Sequence, residues 1–374
     1  AGDWELDEGN NCRMVFTNLF PEHEVKPIVP ANLMSTKKPI NLTFLYNSCL
    51  DEPEQLAREK IIENLKRFNL EYNAWISKLE IEVETLADHF KETGNEHIEN
   101  CKDASQRISN GIILLETDEK AFFSFRLANY AMLLQQISGS IGSRKLKDTF
   151  HAPEKMVHNN QERQWRPFQL AFILLSLDGI PVSDNYNTQS KKLIELIWFP
   201  TGGGKTEAYL GVAAYTIIYS KLRNSEFSGT EVIMRYTLRL LTAQQFQRAS
   251  CLILALEFMR NKGFFNCERI TQSQKRFSSG LWVGQSLTPN TCKDAKDAWS
   301  ELKSKRGANR FAILECPWCK TSLEEDFSGY FATPRSFKFK CREPACHFHS
   351  EIPINVVDEE LYKNPPTLLL GTLD

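Results

Sequence analysis

The chain has 374 residues, of which 42% are hydrophobic and 25% charged, and its formal net charge is −2. That length suggests two or three domains, and the composition is ordinary for a globular protein. No apolar run approaches the ~18 residues of a membrane span, which excludes a helical integral membrane protein.

The small net charge conceals an asymmetry. Residues 1–190 sum to about −8, residues 191–350 to about +10 and the last stretch to about −4. An acidic front and a basic middle suit a nucleic-acid-facing core with an appended domain, although two independent solvated surfaces give the same sums. No signal-peptide pattern opens the chain, and most of its 10 cysteines are scattered. Scattered thiols suit a reducing compartment, so the cytoplasm is the expected location.

In chain order, residues 1–50 are irregular, with short strands expected at "RMVFTNLF" and "NLTFLYN". From Glu52 to Gln136 the pattern is helical. Leu56, Ile61, Ile62, Leu65 and Phe68 repeat at helical spacing, and "EKAFFSFRLANYAMLLQQ" reads as a second amphipathic helix. Residues 137–164 are rich in Gly, Ser, His, Asn and basic residues and read as a linker. Beyond it come a helix at "QWRPFQLAFILLSLDGI", a loop, and a buried strand at "KLIELIWF". A helix at "KTEAYLGVAAYTIIYSKLR", a strand at "TEVIMRYT", a helix at "AQQFQRASCLILALEFMR" and a short strand at "GLWVG" follow. Strands alternating with helices imply a parallel sheet covered on both faces.

Two motifs carry chemistry. In "LIWFPTGGGKTEAYLG" an apolar run breaks into a Gly-rich turn that opens a helix, the order of a P-loop. Its backbone N–H groups would converge on phosphates at the positive end of the helix. Thr201, Gly202, Gly203 and Gly204 form the turn, Lys205 would reach the β- and γ-phosphates of ATP, and Thr206 would hold Mg²⁺. Phe199 stands where the general pattern has its first glycine, a departure that many helicases share.

The second motif is C-x2-C, 21 intervening residues, then C-x4-C: Cys316, Cys319, Cys341 and Cys346. Two thiolate pairs at this separation predict a tetrahedral Zn²⁺ ribbon, with His347 and His349 as alternatives to Cys346. Four sulfur ligands leave no position for a catalytic water, so the zinc would be structural. Nearby, "RSFKFK" alternates basic and aromatic residues, a pattern that suits single-stranded nucleic acid or an amphipathic strand.

Seven segments in order, "WRPFQLAFILL", "WFPTGGGKTEAYLG", "MRYTLRLLTAQQFQRA", "GLWVG…TPN", "CPWC", "VVDEELY" and "PPTLLLGT", together resemble the large superfamily 2 helicase of DISARM-type bacterial anti-phage defence. The Druantia-associated helicase is a near alternative. The resemblance covers about residues 160–374 and is weak before residue 150. It implies two RecA-like domains with ATP in the cleft between them, a "DE" box soon after "GTLD" and an arginine finger in the second domain. The chain would then be the N-terminal portion of a longer protein. The resemblance also implies that Gln169 holds the adenine, that Thr237, Arg239 and Gln244 touch the DNA backbone, and that Thr372 contacts a DNA phosphate. Asp358 and Glu359 look like a "DE" box but come too early in this order.

The expected fold is α/β. Residues 1–150 would form a mainly helical domain. Residues 151–374 would form an incomplete RecA-like parallel-sheet domain with a zinc ribbon inserted at about 311–352. The expected function is an ATP-dependent DNA helicase or translocase, one that binds ATP but hydrolyses it poorly without its "DE" box. A nucleotide-gated DNA-binding sensor that recruits a partner is the alternative, and a zinc-stapled scaffold is a third reading. A companion defence protein enters as partner by family analogy alone.

Overall fold

The computed structural model describes residues 2–6, 12–17, 45, 54–160, 163–180, 194–197, 203–223, 228–236, 239–264, 276–284 and 287–372; for 2–6, 12–17, 54–55 and 239–243 it describes the backbone alone. Two units result. In the first, Ala1–Ala31, β1 (Gly2–Leu6) pairs antiparallel with β2 (Cys12–Thr17), Gly2 lying opposite Thr17. β2 overlaps the first five residues of the expected "RMVFTNLF" strand and starts one residue before it. The other expected strand, at 41–47, lies outside the described residues except for Leu45, which is helical and buried.

In the second unit, Asn32–Asp374, the described residues from 54 on begin with α1 (Glu54–Glu84), α2 (Asp88–Thr117) and α3 (Glu119–Ser140). The helical repeat of Ile61, Ile62, Leu65 and Phe68 gives α1 one apolar face, which is buried in the same core as Ile108, Ile112 and Leu115 of α2. α3 differs from its sequence reading, because it is buried on nearly every face. It lies between α2 and two later helices, so its Phe, Leu and Met side chains all find apolar neighbours. Asp118 caps it, accepting from the backbone N–H of Ala121 at 2.9 Å while its other oxygen accepts from the Tyr219 hydroxyl at 2.9 Å.

Next come α4 (Pro167–Leu177), α5 (Lys205–Arg223), β3 (Val232–Tyr236), α6 (Arg239–Asn261), β4 (Ser279–Trp282) and α7 (Cys292–Lys303). They are followed by the hairpin β5 (Tyr330–Thr333) and β6 (Ser336–Phe339), then β7 (Ile354–Asn355), α8 (Asp358–Lys363) and β8 (Leu368–Thr372). The main sheet has the order β3-β8-β4-β7 and is parallel throughout. The central strand β8 reads Leu-Leu-Leu-Gly-Thr, as a strand covered on both faces should. α3, α5 and α6 pack together, so helices before and after residue 150 share one apolar core. No helix among the described residues is long and apolar enough to cross a membrane.

One expected strand is not seen among the described residues. Residues 194–197, the described part of "KLIELIWF", have no regular structure, and Ile194 and Leu196 are 95% and 81% exposed. Among the described residues this segment pairs with no strand, and Arg107 of α2 holds the Glu195 carboxylate. β3 is an edge strand among the described residues, with Ile233 exposed. A groove of about 480 Å³ opens between it and the side chains of Phe172, Tyr209 and Val212.

Candidate phosphate turn and cysteine metal centre

The Gly-rich turn leads into the first residue of α5, which is Lys205, followed by Thr206. The unpaired N–H groups of a helix's first turn, with the helix dipole, make such an end receptive to anions. Gly204 has φ +91°, in the left-handed region that favours glycine. A Cβ there would stand 2.7 Å from Nε2 of Gln169, so a side chain at this position would displace that amide.

Gln169 is 5% exposed and belongs to the first turn of α4. Its Oε1 accepts from the backbone N–H of Arg166 at 2.8 Å, and its Nε2 donates to the carbonyl of Gly204 at 2.7 Å. Arg166 adds a second tie, its guanidinium donating to the carbonyl of Gly203 at 2.7 Å. The start of α4 therefore holds both described glycines of the turn by their carbonyls. Holding these carbonyls back fixes the peptide planes of the turn. Gln169 was expected to reach a base; here its amide is engaged with the turn itself. Arg166 lay unassigned inside "WRPFQ", and its signal was its place three residues before that Gln.

α5 is brought close to α4 by Gly211, where a Cβ would lie 2.8 Å from Ile173 and 3.0 Å from the Trp165 ring. Trp165 is fixed in turn, its Nε1–H donating to Asn129 of α3 at 2.7 Å. Thr201 and Gly202 lie outside the described residues, as does Thr237.

Of the nucleic-acid candidates, Thr372 falls at the carboxyl end of a parallel strand, where open α/β sheets bind ligands. Thr372 ends β8 and pairs in register with Tyr236, the last residue of β3. The chain then enters α6 at Arg239, and Gln244 lies exposed on that helix. Asp358 and Glu359 lie elsewhere, in the first turn of α8 directly after β7, at the opposite sheet edge from β3. Burial raises the Asp358 carboxyl above its usual range, while Glu359 pairs with Lys363 at 2.6 Å and accepts from the backbone N–H of Cys292.

The four motif cysteines meet. The Sγ atoms of Cys316, Cys319, Cys341 and Cys346 all lie within 4.8 Å of one another and all four residues are buried. The Cys319 and Cys341 sulfurs are 3.5 Å apart, close to the ~3.8 Å edge of a tetrahedron with Zn–S distances of ~2.3 Å. Electrostatics favours a cation here. Hydrogen bonding from Cys316 first, then from Cys341 and Cys346, holds the Cys319 thiol far below its ordinary range, whereas burial drives Cys316 well above it. A second buried thiolate is expensive without a neutralising ion, and a divalent metal supplies that charge. The donor set thus fits a structural zinc, with Lys320 at φ 60° completing the turn after the first cysteine pair. His347 is outside the cluster, set against the Phe258 ring at 5.2 Å, and His349 is exposed.

The ribbon is anchored to the helices. The Ser138 hydroxyl at the end of α3 reaches the carbonyls of Pro317 and Trp318, both at 2.7 Å. Arg144, in the expected linker, is only 6% exposed; it donates to Thr321 at 2.6 Å and to Glu343 at 2.8 Å. That part of the linker is therefore packed against the ribbon. In "RSFKFK" the aromatics Phe337 and Phe339 point into the core against Phe311 and Tyr330, while Lys338 pairs with Glu351. The amphipathic-strand reading accounts for that alternation, and those two rings are not free to stack on bases.

No family model matches the chain. Over 397 residues it is 34% identical to the DISARM protein DrmA of Bacillus paralicheniformis, a match that takes in all of this chain and 33% of that protein, its N-terminal portion. The chain spans about a third of the length of the curated relative it matches.

Proposed function

We propose that this chain is the ATP-binding portion of a DNA helicase or translocase of bacterial phage defence. The observation that carries this reading is the two-point hold on the Gly-rich turn, Arg166 on Gly203 and Gln169 on Gly204, at the helix end that begins Lys205-Thr206. The sequence relation to a DISARM protein supports the defence setting. ATP would contribute the phosphoryl group whose transfer drives movement. The protein's share is positioning and charge: turn N–H groups and Lys205 on the phosphates, Thr206 on Mg²⁺. Arg239, Gln244, Thr237 and Thr372 are the residues proposed to meet the DNA backbone, and the companion defence protein is a proposed partner. The four cysteines bind zinc in this reading and hold the ribbon on the helices.

The test is an Mg·ATP titration and a turnover assay, with and without single-stranded DNA, beside Lys205→Ala. Binding that Lys205→Ala weakens at least ~10-fold, about 1.4 kcal/mol, is expected. Equal affinity in both proteins would remove the turn from nucleotide binding. ATP and DNA binding without strand separation by the longer protein would favour the sensor instead.

A further inference from the structure

We propose that Arg248 is a positioning residue that neutralises Glu207 beside the phosphate turn and ties the turn to the helix carrying the nucleic-acid candidates. This rests on reading the turn as a triphosphate site.

Glu207 is the third residue of α5, and a Cβ on Gly204 would lie 3.4 Å from its Oε2. A carboxylate this close to the turn repels an arriving triphosphate, since like charges at a few ångströms interact strongly where water is partly excluded. Arg248 of α6 pairs with that carboxylate; the two side chains are 35% and 24% exposed. Burial lowers the Arg248 pKa from its ordinary value, yet a guanidinium stays charged throughout the physiological range. The pair therefore presents no net charge to the phosphates, although neither sequence motif requires an arginine at this point.

The same arginine has a second connection. Gln244 precedes it by four residues on α6, so the two share one helix face. Gln244 is exposed, near the end of α6 that follows β3. Nucleic acid held at that end and nucleotide held at the turn are joined through Gln244, Arg248, Glu207 and Gly204. A shift of α6 on DNA binding changes how well Arg248 covers Glu207, and so changes nucleotide affinity. Linkage makes the coupling reciprocal.

The experiment is a titration of Mg·ATP, with and without a single-stranded oligonucleotide, on the wild type, Glu207→Gln, Arg248→Gln, the double variant and Lys205→Ala. Arg248→Gln is expected to weaken ATP binding ~5–10-fold by leaving a bare carboxylate, and to erase the effect of the oligonucleotide. Glu207→Gln leaves the Arg248 charge uncompensated and should bind ATP at least as tightly as wild type, and the double variant should return to within ~2-fold of wild type, which a merely structural arginine would not permit. An unchanged Arg248→Gln, or a double variant as weak as the single, overturns the proposal. If Lys205→Ala weakens binding while Arg248→Gln does not, this inference alone falls; if neither matters, the triphosphate reading falls with it. Should Arg248→Gln fail to fold, Arg248→Lys keeps the charge and is expected to bind ATP like wild type, and loss of affinity in that variant also overturns it.

Discussion

At the cysteine centre all four donor atoms are buried, and the end of α3 together with Arg144 clasps the surrounding chain. At the phosphate turn Gly203, Gly204, Lys205 and Thr206 are all partly exposed; of the groups that hold them, Gln169 on α4 is buried and Arg166, just before that helix, is exposed. In the proposed reading one region closes around a metal ion and the other presents a surface to a nucleotide. A structural metal contributes folding free energy directly, so its site gains from burial. A nucleotide must enter and leave, so only the scaffold of its turn can be buried.

The largest expected effect tests that difference at the closed site. Cys319→Ser should bring metal content, measured by atomic emission on the purified protein, from about one zinc per chain to near zero. Stability in urea should fall by ~4 kcal/mol or more, or the protein should become insoluble. Wild-type stability in a metal-free preparation equal to that of the zinc-loaded protein would mean that the cluster closes without the ion. Next in size is Arg144→Ala, which strands the buried Glu343 carboxylate and removes the donor to Thr321. Breaking one side of a buried pair costs roughly 3 kcal/mol. Nucleotide affinity should stay within ~2-fold, because each region is held by its own contacts. A large loss of affinity in this variant would mean that the two regions act as one.

The two regions were unequally legible in the sequence. The ribbon was readable because ligand spacing is local: each pair of cysteines sits within one tight turn, and the fold only has to bring two turns together. Its anchoring was not, since the partner of Arg144 is 199 residues away in the chain and an arginine among Gly, Ser and Lys reads as a solvated linker. Parallel strands β3 and β4 were legible as apolar runs between helices, but the sheet order β3-β8-β4-β7 follows from long-range pairing that no local pattern encodes. "KLIELIWF" carried a strand's composition, yet its described residues 194–197 have no strand partner, and Ile194 and Leu196 are exposed instead. β-propensity describes fitness for a pleated surface, so it says little where no neighbouring strand is present. At the turn, glycine spacing and helix start were plain, whereas the roles of Arg166 and Arg248 depend on which helices pack beside α5.

Gly204→Ala tests the open site at moderate cost. The left-handed backbone and the 2.7 Å approach to Gln169 should together cost ~1–3 kcal/mol of stability. The same change should weaken Mg·ATP binding by at least ~10-fold, because Gln169 can no longer hold the Gly204 carbonyl and the turn opens. A stability loss with intact nucleotide binding would show that the hold on the turn serves folding alone.

The smallest effect marks where the open site ends. Asp358 has a buried oxygen, Oδ1, without a hydrogen-bond partner, and burial raises its pKa. A carboxyl whose folded pKa is raised favours the folded state while protonated; that advantage is lost as pH rises from its unfolded value of ~3.9 through the raised folded value. Asp358→Asn removes the charge and should therefore raise the melting temperature slightly at pH 8 and leave it unchanged near pH 3. Nucleotide affinity and turnover should not move, since Asp358 follows β7 at the sheet edge opposite β3. A carboxylate serving Mg²⁺ would behave in the opposite way. Its unpaired oxygen would be a metal ligand awaiting the ion, and the Asn variant would lose turnover while gaining nothing in stability. The pH dependence of melting and the turnover rate, measured on one variant, thus decide whether the apolar-Asp-Glu segment belongs to the phosphate site or only resembles one in sequence.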